Sequence, residues 1–159
     1  PSKTIIKTMA KINFYAEGVS LPRIRRRIVG KWIAEVCSRY GKAVGEISYL
    51  FCDDEYILKA NQEFLDHDYY TDIITFDSCE ADTVNGDLLI SLDTVRSNAR
   101  ALDLRYEDEL HRVIIHGILH LCGLKDKSKK DEAQMRAAEE KALVMLRETI
   151  GSELSLLHT

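Results

Sequence analysis

YEDELHRVIIHGILHLC, residues 106–122, is apolar at too many positions for a surface helix. Turning about 100° per residue, Leu110, Val113, Ile114, Ile118 and Leu121 make a broad apolar face. Ile115, Leu119 and Cys122 carry that face around most of the cylinder. A helix of this kind is buried on nearly every side, so other elements must surround it. Its remaining polar character runs as one stripe, Glu109, Arg112, His116 and His120, with Gly123 in line at the end. Polar groups on such a helix must face either partners or a cleft.

Outward from this helix the pattern mixes strands and helices. KINFYAEG (11–18) alternates Ile12 and Phe14 with polar neighbours and predicts a first strand. Leu21-Pro22 then opens a helix running to Tyr40, where Gly41 ends it. VGEISYLF (44–51) predicts a second strand, after which Asp53 caps a helix carrying Tyr56, Ile57, Ala60 and Phe64 at helical spacing. The apolar runs IITF (73–76) and LLI (88–90) read as neighbouring strands joined by a turn at Asn85-Gly86. Ser91 or Asp93 caps a helix to about Leu102. Downstream, Ser128 and Asp131 have capping-box spacing ahead of a last helix, Lys129 to Ile150, with Gly151 past its end. This order predicts an α+β fold: a single domain over residues 9–151, with a small mixed β-sheet and about five helices packed around the central buried one. Residues 1–8 are expected to be foreign to the domain, ahead of a natural start at Met9.

The 159 residues suffice for one domain with a sizeable core, and 45% apolar with 30% charged residues excludes a disordered or fibrous chain. A net charge of −4 excludes the strong overall positive field of a typical nucleic-acid binder. Positive charge is concentrated locally, however, at Arg23, Arg25, Arg26, Arg27 and Lys31. That stretch suits either phosphate contact or a plain solvated helix face. The cysteines at 37, 52, 79 and 122 form no C-x-x-C pair. A zinc ribbon and a dithiol redox motif are thereby excluded, and buried free thiols in a reducing compartment are expected. No apolar run reaches the roughly 18–20 residues of a membrane span and no signal-peptide pattern opens the chain, so the expected location is the cytoplasm.

Histidines at i and i+4 lie one turn apart on the same side of a helix, so His116 and His120 can address one divalent ion. Gly123 suits a left-handed helix stop, which bends the chain back and lets a side chain at 126 return toward them. The pattern H-x-x-x-H-x-x-G-x-x-D therefore supplies three zinc donors, His116, His120 and Asp126, and leaves a fourth position for water. If Asp126 is instead a solvated loop residue, His67 or a water completes the set. The metalloprotease pattern H-E-x-x-H needs a general-base glutamate after the first histidine, and Gly117 stands there, which argues against a peptidase.

HGILHLCG, with EDELHRVII before it and a long charged helix containing Met135 after it, closely resembles the signature H-G-x-L-H-L-x-G-Y-D-H of the bacterial YbeY endoribonucleases. TDIITF (71–76) is similar to the family's T-D-V-L-S-F, and GDLLIS (86–91) to its G-D-I-x-I-S. Asn61 sits where the family's helix places its asparagine. These matches span about residues 44–140 in the family's order. The resemblance implies a zinc-dependent hydrolase, one ion per chain, that cuts single-stranded RNA in the cytoplasm. It further implies a role in 3′-end maturation of small-subunit ribosomal RNA and in ribosome quality control, with ribosomal RNA or the small subunit as partner.

Two positions depart from the family pattern. Asp126 stands where the family has its third histidine, and Leu65 where it has an arginine. Leucine cannot clamp a phosphate as arginine does, so His67, Arg96, Arg105 and Arg112 are the candidates to replace it. His67, Arg96 and Arg112, with Arg25 and Arg26 of the basic stretch, make the candidate substrate-binding set. Whether water or the ribose 2′-hydroxyl attacks stays open. The rival from another class is a non-catalytic ribosome assembly factor with a structural zinc.

Overall fold

The computed structural model describes residues 11–65 and 71–157, with side chains through Ser152. Among the described residues, four strands and five helices follow in the order β1 (Lys11–Ala16), α1 (Arg26–Arg39), β2 (Ala43–Cys52), α2 (Asp54–Leu65), β3 (Ile73–Asp77), β4 (Thr83–Ser91), α3 (Leu92–Ala101), α4 (Tyr106–Leu121) and α5 (Lys129–Leu157). One sheet holds all four strands in the order β1-β2-β4-β3. The pairs β1–β2 and β2–β4 are parallel and β3–β4 is antiparallel, which is the mixed α+β arrangement expected.

The period of two along the strands sends side chains to both faces. Ile47, Tyr49 and Phe51 of β2 and Leu88 and Ile90 of β4 join Trp32 and Ile33 of α1 and Ile114, Ile115 and Ile118 of α4 in the main core. On the opposite face Cys52 and Ile74 pack with Ile57 and Ala60 of α2. Parallel pairing with helical crossovers requires this cover on both sides. α5 closes the main core from outside with Met135, Ala142 and Leu146, and the Trp32 indole donates to Ala142 O at 2.7 Å. The Tyr49 hydroxyl donates to Ile114 O at 2.9 Å, tying the middle of the sheet to α4.

α4 is buried nearly all round, as its composition predicts. Gly117 explains how it lies so close to the sheet: a Cβ there would overlap the Leu88 side chain and come within 2.8 Å of Ile73 Cδ1. The position faces β3 and β4, so a glutamate at 117 would enter the core instead of a cleft. Cys37, Cys52, Cys79 and Cys122 are all free thiols, and Cys79 alone is not fully buried. Burial and the carboxylates of Asp53, Asp54 and Asp93 push Cys52 up to about 12.

Three local expectations are corrected. α1 begins at Arg26, because Ile24 N–H donates to Pro22 O at 2.9 Å and a tight turn occupies the stretch where helix was expected. Asn85-Gly86 is not the turn before the second apolar run; it lies inside β4. There Asn85 Oδ1 accepts from Glu46 N–H at 2.8 Å, satisfying the irregular β2 register between Val44 and Ile47. The reversal falls instead at Glu80–Thr83, with Ala81 at φ 50°. α5 runs through Gly151 to Leu157, since the exposed glycine meets nothing nearby and costs an α-helix only about 1 kcal/mol. The expected caps at Asp53, Ser91 and Ser128 are present: Tyr56 N–H donates to Asp53 Oδ1, Thr94 N–H to Ser91 Oγ, and Asp131 N–H to Ser128 Oγ.

Candidate active site

The polar stripe of α4 runs beside β3. At its C-terminal end Cys122 caps the helix and Gly123 takes φ +108°. Gly123 N–H donates to His120 O at 3.0 Å and Leu124 N–H to Leu119 O at 3.1 Å, the paired bonds of a left-handed helix stop. This reversal returns the chain over the last turn. It brings Asp126 Oδ2 to 3.4 Å from His116 Nε2, so the residue ten positions on meets the first histidine as the spacing predicts. His120, one turn along, is exposed, and its Nδ1 lies 3.1 Å from Leu124 O.

Behind His116 is a buried ionic cluster. Its Nδ1 lies 2.8 Å from Glu139 Oε2, and the other oxygen of Glu139 accepts from an Arg112 terminal nitrogen at 3.2 Å. Arg112 also forks onto Glu109, Nε to Oε1 at 2.8 Å and the second terminal nitrogen to Oε2 at 2.6 Å, and stands 3.7 Å from Asp72 Oδ2. Asn98 of α3 donates to Asp72 at 3.2 Å and to Glu109 at 3.4 Å. Glu109 is 0% exposed and Glu139 2%, so neither is a solvated surface charge. Burial alone would pull the imidazolium of His116 below its ordinary range. The Glu139 carboxylate, helped by Asp72 and Asp126, outweighs that and raises it. Burial likewise opposes ionisation of Glu139, but the hydrogen bond from His116 and the charge of Arg112 hold its carboxyl below the usual value. Burial dominates at Asp72 and lifts it.

The histidine pair and Asp126 carry the chemistry expected of a divalent-metal site. Nδ1 of each histidine faces an acceptor, and a neutral ring that donates there would keep its Nε2 lone pair for an ion. The 3.4 Å between His116 Nε2 and Asp126 Oδ2 equals the edge of a tetrahedron whose bonds are about 2.0–2.1 Å, the lengths of zinc to imidazole and carboxylate. As they stand, no three His, Cys, Asp or Glu side chains among the described residues enclose one point. The donor set fits in kind, with two of its three members at the required separation.

The model of the family described as Endoribonuclease YbeY matches residues 14–147. The chain belongs to the YbeY endoribonuclease family. It is 99% identical over 151 residues to the Endoribonuclease YbeY of Porphyromonas gingivalis, covering 95% of this chain and all of that one. It is 57% identical to the Endoribonuclease YbeY of Phocaeicola vulgatus, over 85% of this chain and 98% of that one. A solution structure of the protein TM1509 from Thermotoga maritima aligns with a TM-score of 0.61 at 27% identity, over 91% of this chain and 92% of that one.

Against the YbeY pattern the remaining candidates fall in separate places. Leu65 is exposed at the end of α2, and His67 lies outside the described residues. Arg112 is turned inward on Glu109, Glu139 and Asp72, while Arg105 pairs with Glu107 at 3.4 Å on the surface. Arg25 and Arg96, with Arg23, line a cavity of about 620 Å³ whose floor includes Ile28 and Leu110, and Arg96 lies over the Tyr106 ring at 5.0 Å. That cavity does not include His116, His120 or Asp126. Arg26 is exposed on the first turn of α1, where no acidic residue offsets it. Sequence reading missed Glu139. Its signal was present: Met135, Glu139, Ala142 and Leu146 recur at helical spacing, so a carboxylate interrupts an otherwise apolar, core-facing stripe. No described helix is long and apolar enough to cross a membrane.

Proposed function

We propose that this chain is a zinc-dependent endoribonuclease that cuts single-stranded RNA in the cytoplasm, acting in 3′-end maturation of small-subunit ribosomal RNA and in ribosome quality control. The observation that carries the reading is the pair His116 and His120 with both Nδ1 atoms facing acceptors and Asp126 folded back to 3.4 Å from His116 Nε2, in a chain of the YbeY family. His116, His120 and Asp126 would hold one zinc ion, which when bound supplies a Lewis acid for the phosphoryl group and lowers the pKa of a coordinated water. The residues of the chain do the rest. Glu139 keeps a proton on His116 Nδ1, Leu124 O does the same for His120, and Asp126 contributes a negative charge. Arg25, Arg26 and Arg96 hold flanking phosphates.

Membership of the family and the exposed side of His120 favour this over a non-catalytic assembly factor, since structural zinc is enclosed by four protein ligands. Gly117, pressed against Leu88, leaves no general base for a peptidase. The test is metal analysis of the purified protein with cleavage of a single-stranded RNA oligonucleotide, with and without chelator. Stoichiometric zinc and cleavage that chelator abolishes are expected, with both lost in His116→Ala. Normal cutting by His116→Ala, or by the metal-free protein, would overturn the reading.

A further inference from the structure

The geometry points to Glu139, locked in place by Arg112, as the positioning residue that sets the tautomer and aim of His116. The inference rests on the metal reading of the site. A carboxylate at 2% exposure loses its hydration and costs several kcal/mol unless each oxygen is compensated. On the core-facing stripe of α5 a leucine or methionine would fill the position without that penalty. Glu139 instead divides its oxygens between two partners: Oε1 takes Arg112 at 3.2 Å and Oε2 takes His116 Nδ1 at 2.8 Å. Arg112 has no freedom to wander, because Glu109 grips it with both oxygens and is itself fully buried. The chain of contacts runs Glu109, Arg112, Glu139, His116, and each link is fixed by the one behind it.

Charge gives the arrangement a direction. Asp72, Glu109 and Glu139 surround one guanidinium, so the rear of the site is anionic and favours a cation on the far side of His116, where Nε2 points toward Asp126. Acceptor count then predicts what a conservative change does. Glutamine at 139 has the same shape but a single acceptor oxygen, which cannot serve both Arg112 and His116. If the oxygen stays on Arg112, the amide N–H₂ faces Nδ1. The imidazole must then accept there and move its proton to Nε2, which removes the lone pair an ion needs. Outer partners of this kind typically alter metal affinity by about 10–100-fold.

The test uses the full chain and zinc itself. In metal-free wild-type protein, at a pH where the ring is neutral, nitrogen NMR of the imidazole is expected to show His116 as the Nδ1–H tautomer; an Nε2–H tautomer overturns the inference. In Glu139→Gln the tautomer is expected to shift toward Nε2–H and the zinc dissociation constant, read by competition with a chromophoric chelator, to rise about 10–100-fold. An unmoved tautomer with wild-type zinc affinity overturns it. Should Glu139→Gln not fold, Arg112→Lys keeps the charge but loses the fork, and folded Arg112→Lys with unchanged zinc affinity and tautomer overturns it equally. A wild-type protein that binds no zinc sinks the metal reading and leaves the tautomer result standing. A wild type that binds zinc no better than a folded Glu139→Gln sinks the positioning role alone.

Discussion

Asp126 Oδ2 lies within tetrahedral reach of His116 Nε2, and its charge distinguishes this site from one built on three histidines. Since outer partners alone change metal affinity by about 10–100-fold, Asp126→Ala is expected to lower zinc affinity by at least that much in a chelator competition. Asp126→His replaces an anionic donor by a neutral one. It should keep the metal and shift the pH–rate profile for RNA cleavage toward acid, because zinc with fewer anionic ligands is the stronger Lewis acid. At Gly117 the constraint is steric. A methyl group there meets Leu88 and Ile73, and overpacking of about 1–3 kcal/mol outweighs the gain of about 1 kcal/mol from alanine's helix propensity. Gly117→Ala should therefore lower the denaturant midpoint. The shared side of His116 and His120 and the helix stop at Gly123 were legible from spacing, since each relation spans no more than about one turn. Glu139 was not: its partner lies 23 positions away, and only the packing of α5 on α4 brings the two together.

At the scale of elements, α1 and α4 meet through Trp32 and His111, whose rings stand edge to face with centroids 6.1 Å apart. Burial depresses the His111 pKa, against the weaker pull of Asp108 and Glu107. The unfolded chain therefore takes a proton near pH 6.5 that the folded chain refuses until lower pH. Stability contributed by neutral His111 is present above that value and is lost as pH falls below it toward the depressed folded value. His111→Phe is expected to flatten this part of the slope when denaturant midpoints are compared from pH 7 to pH 5; an unchanged slope would remove His111 as its source. Helix caps were readable because each is local, as the Ser128–Asp131 pair shows. Asn85-Gly86 misled because its turn chemistry is spent on another strand, 39 residues away at Glu46, which no local pattern reveals. The start of α1 was placed too early because Pro22 suits a first helical turn as readily as the tight turn it makes.

Across the whole molecule, a net charge of −4 gives RNA no long-range attraction, so affinity must come from local cations. Replacing Arg25, Arg26 and Arg96 by glutamine should reduce the slope of log affinity against log salt by about one unit for each phosphate no longer neutralised. A slope equal to wild type would return these arginines to the solvated surface. The indole of Trp32, bonded to Ala142 O, ties the core to the helix that comes last among the described elements. The helix that supplies this acceptor, and Glu139 with it, is synthesised after every other described element. Domains fold as units during translation, and until α5 emerges the nascent chain has neither a closed core over Trp32 nor a counter-charge for His116. Closure of the core and orientation of His116 are therefore a single event, the docking of α5.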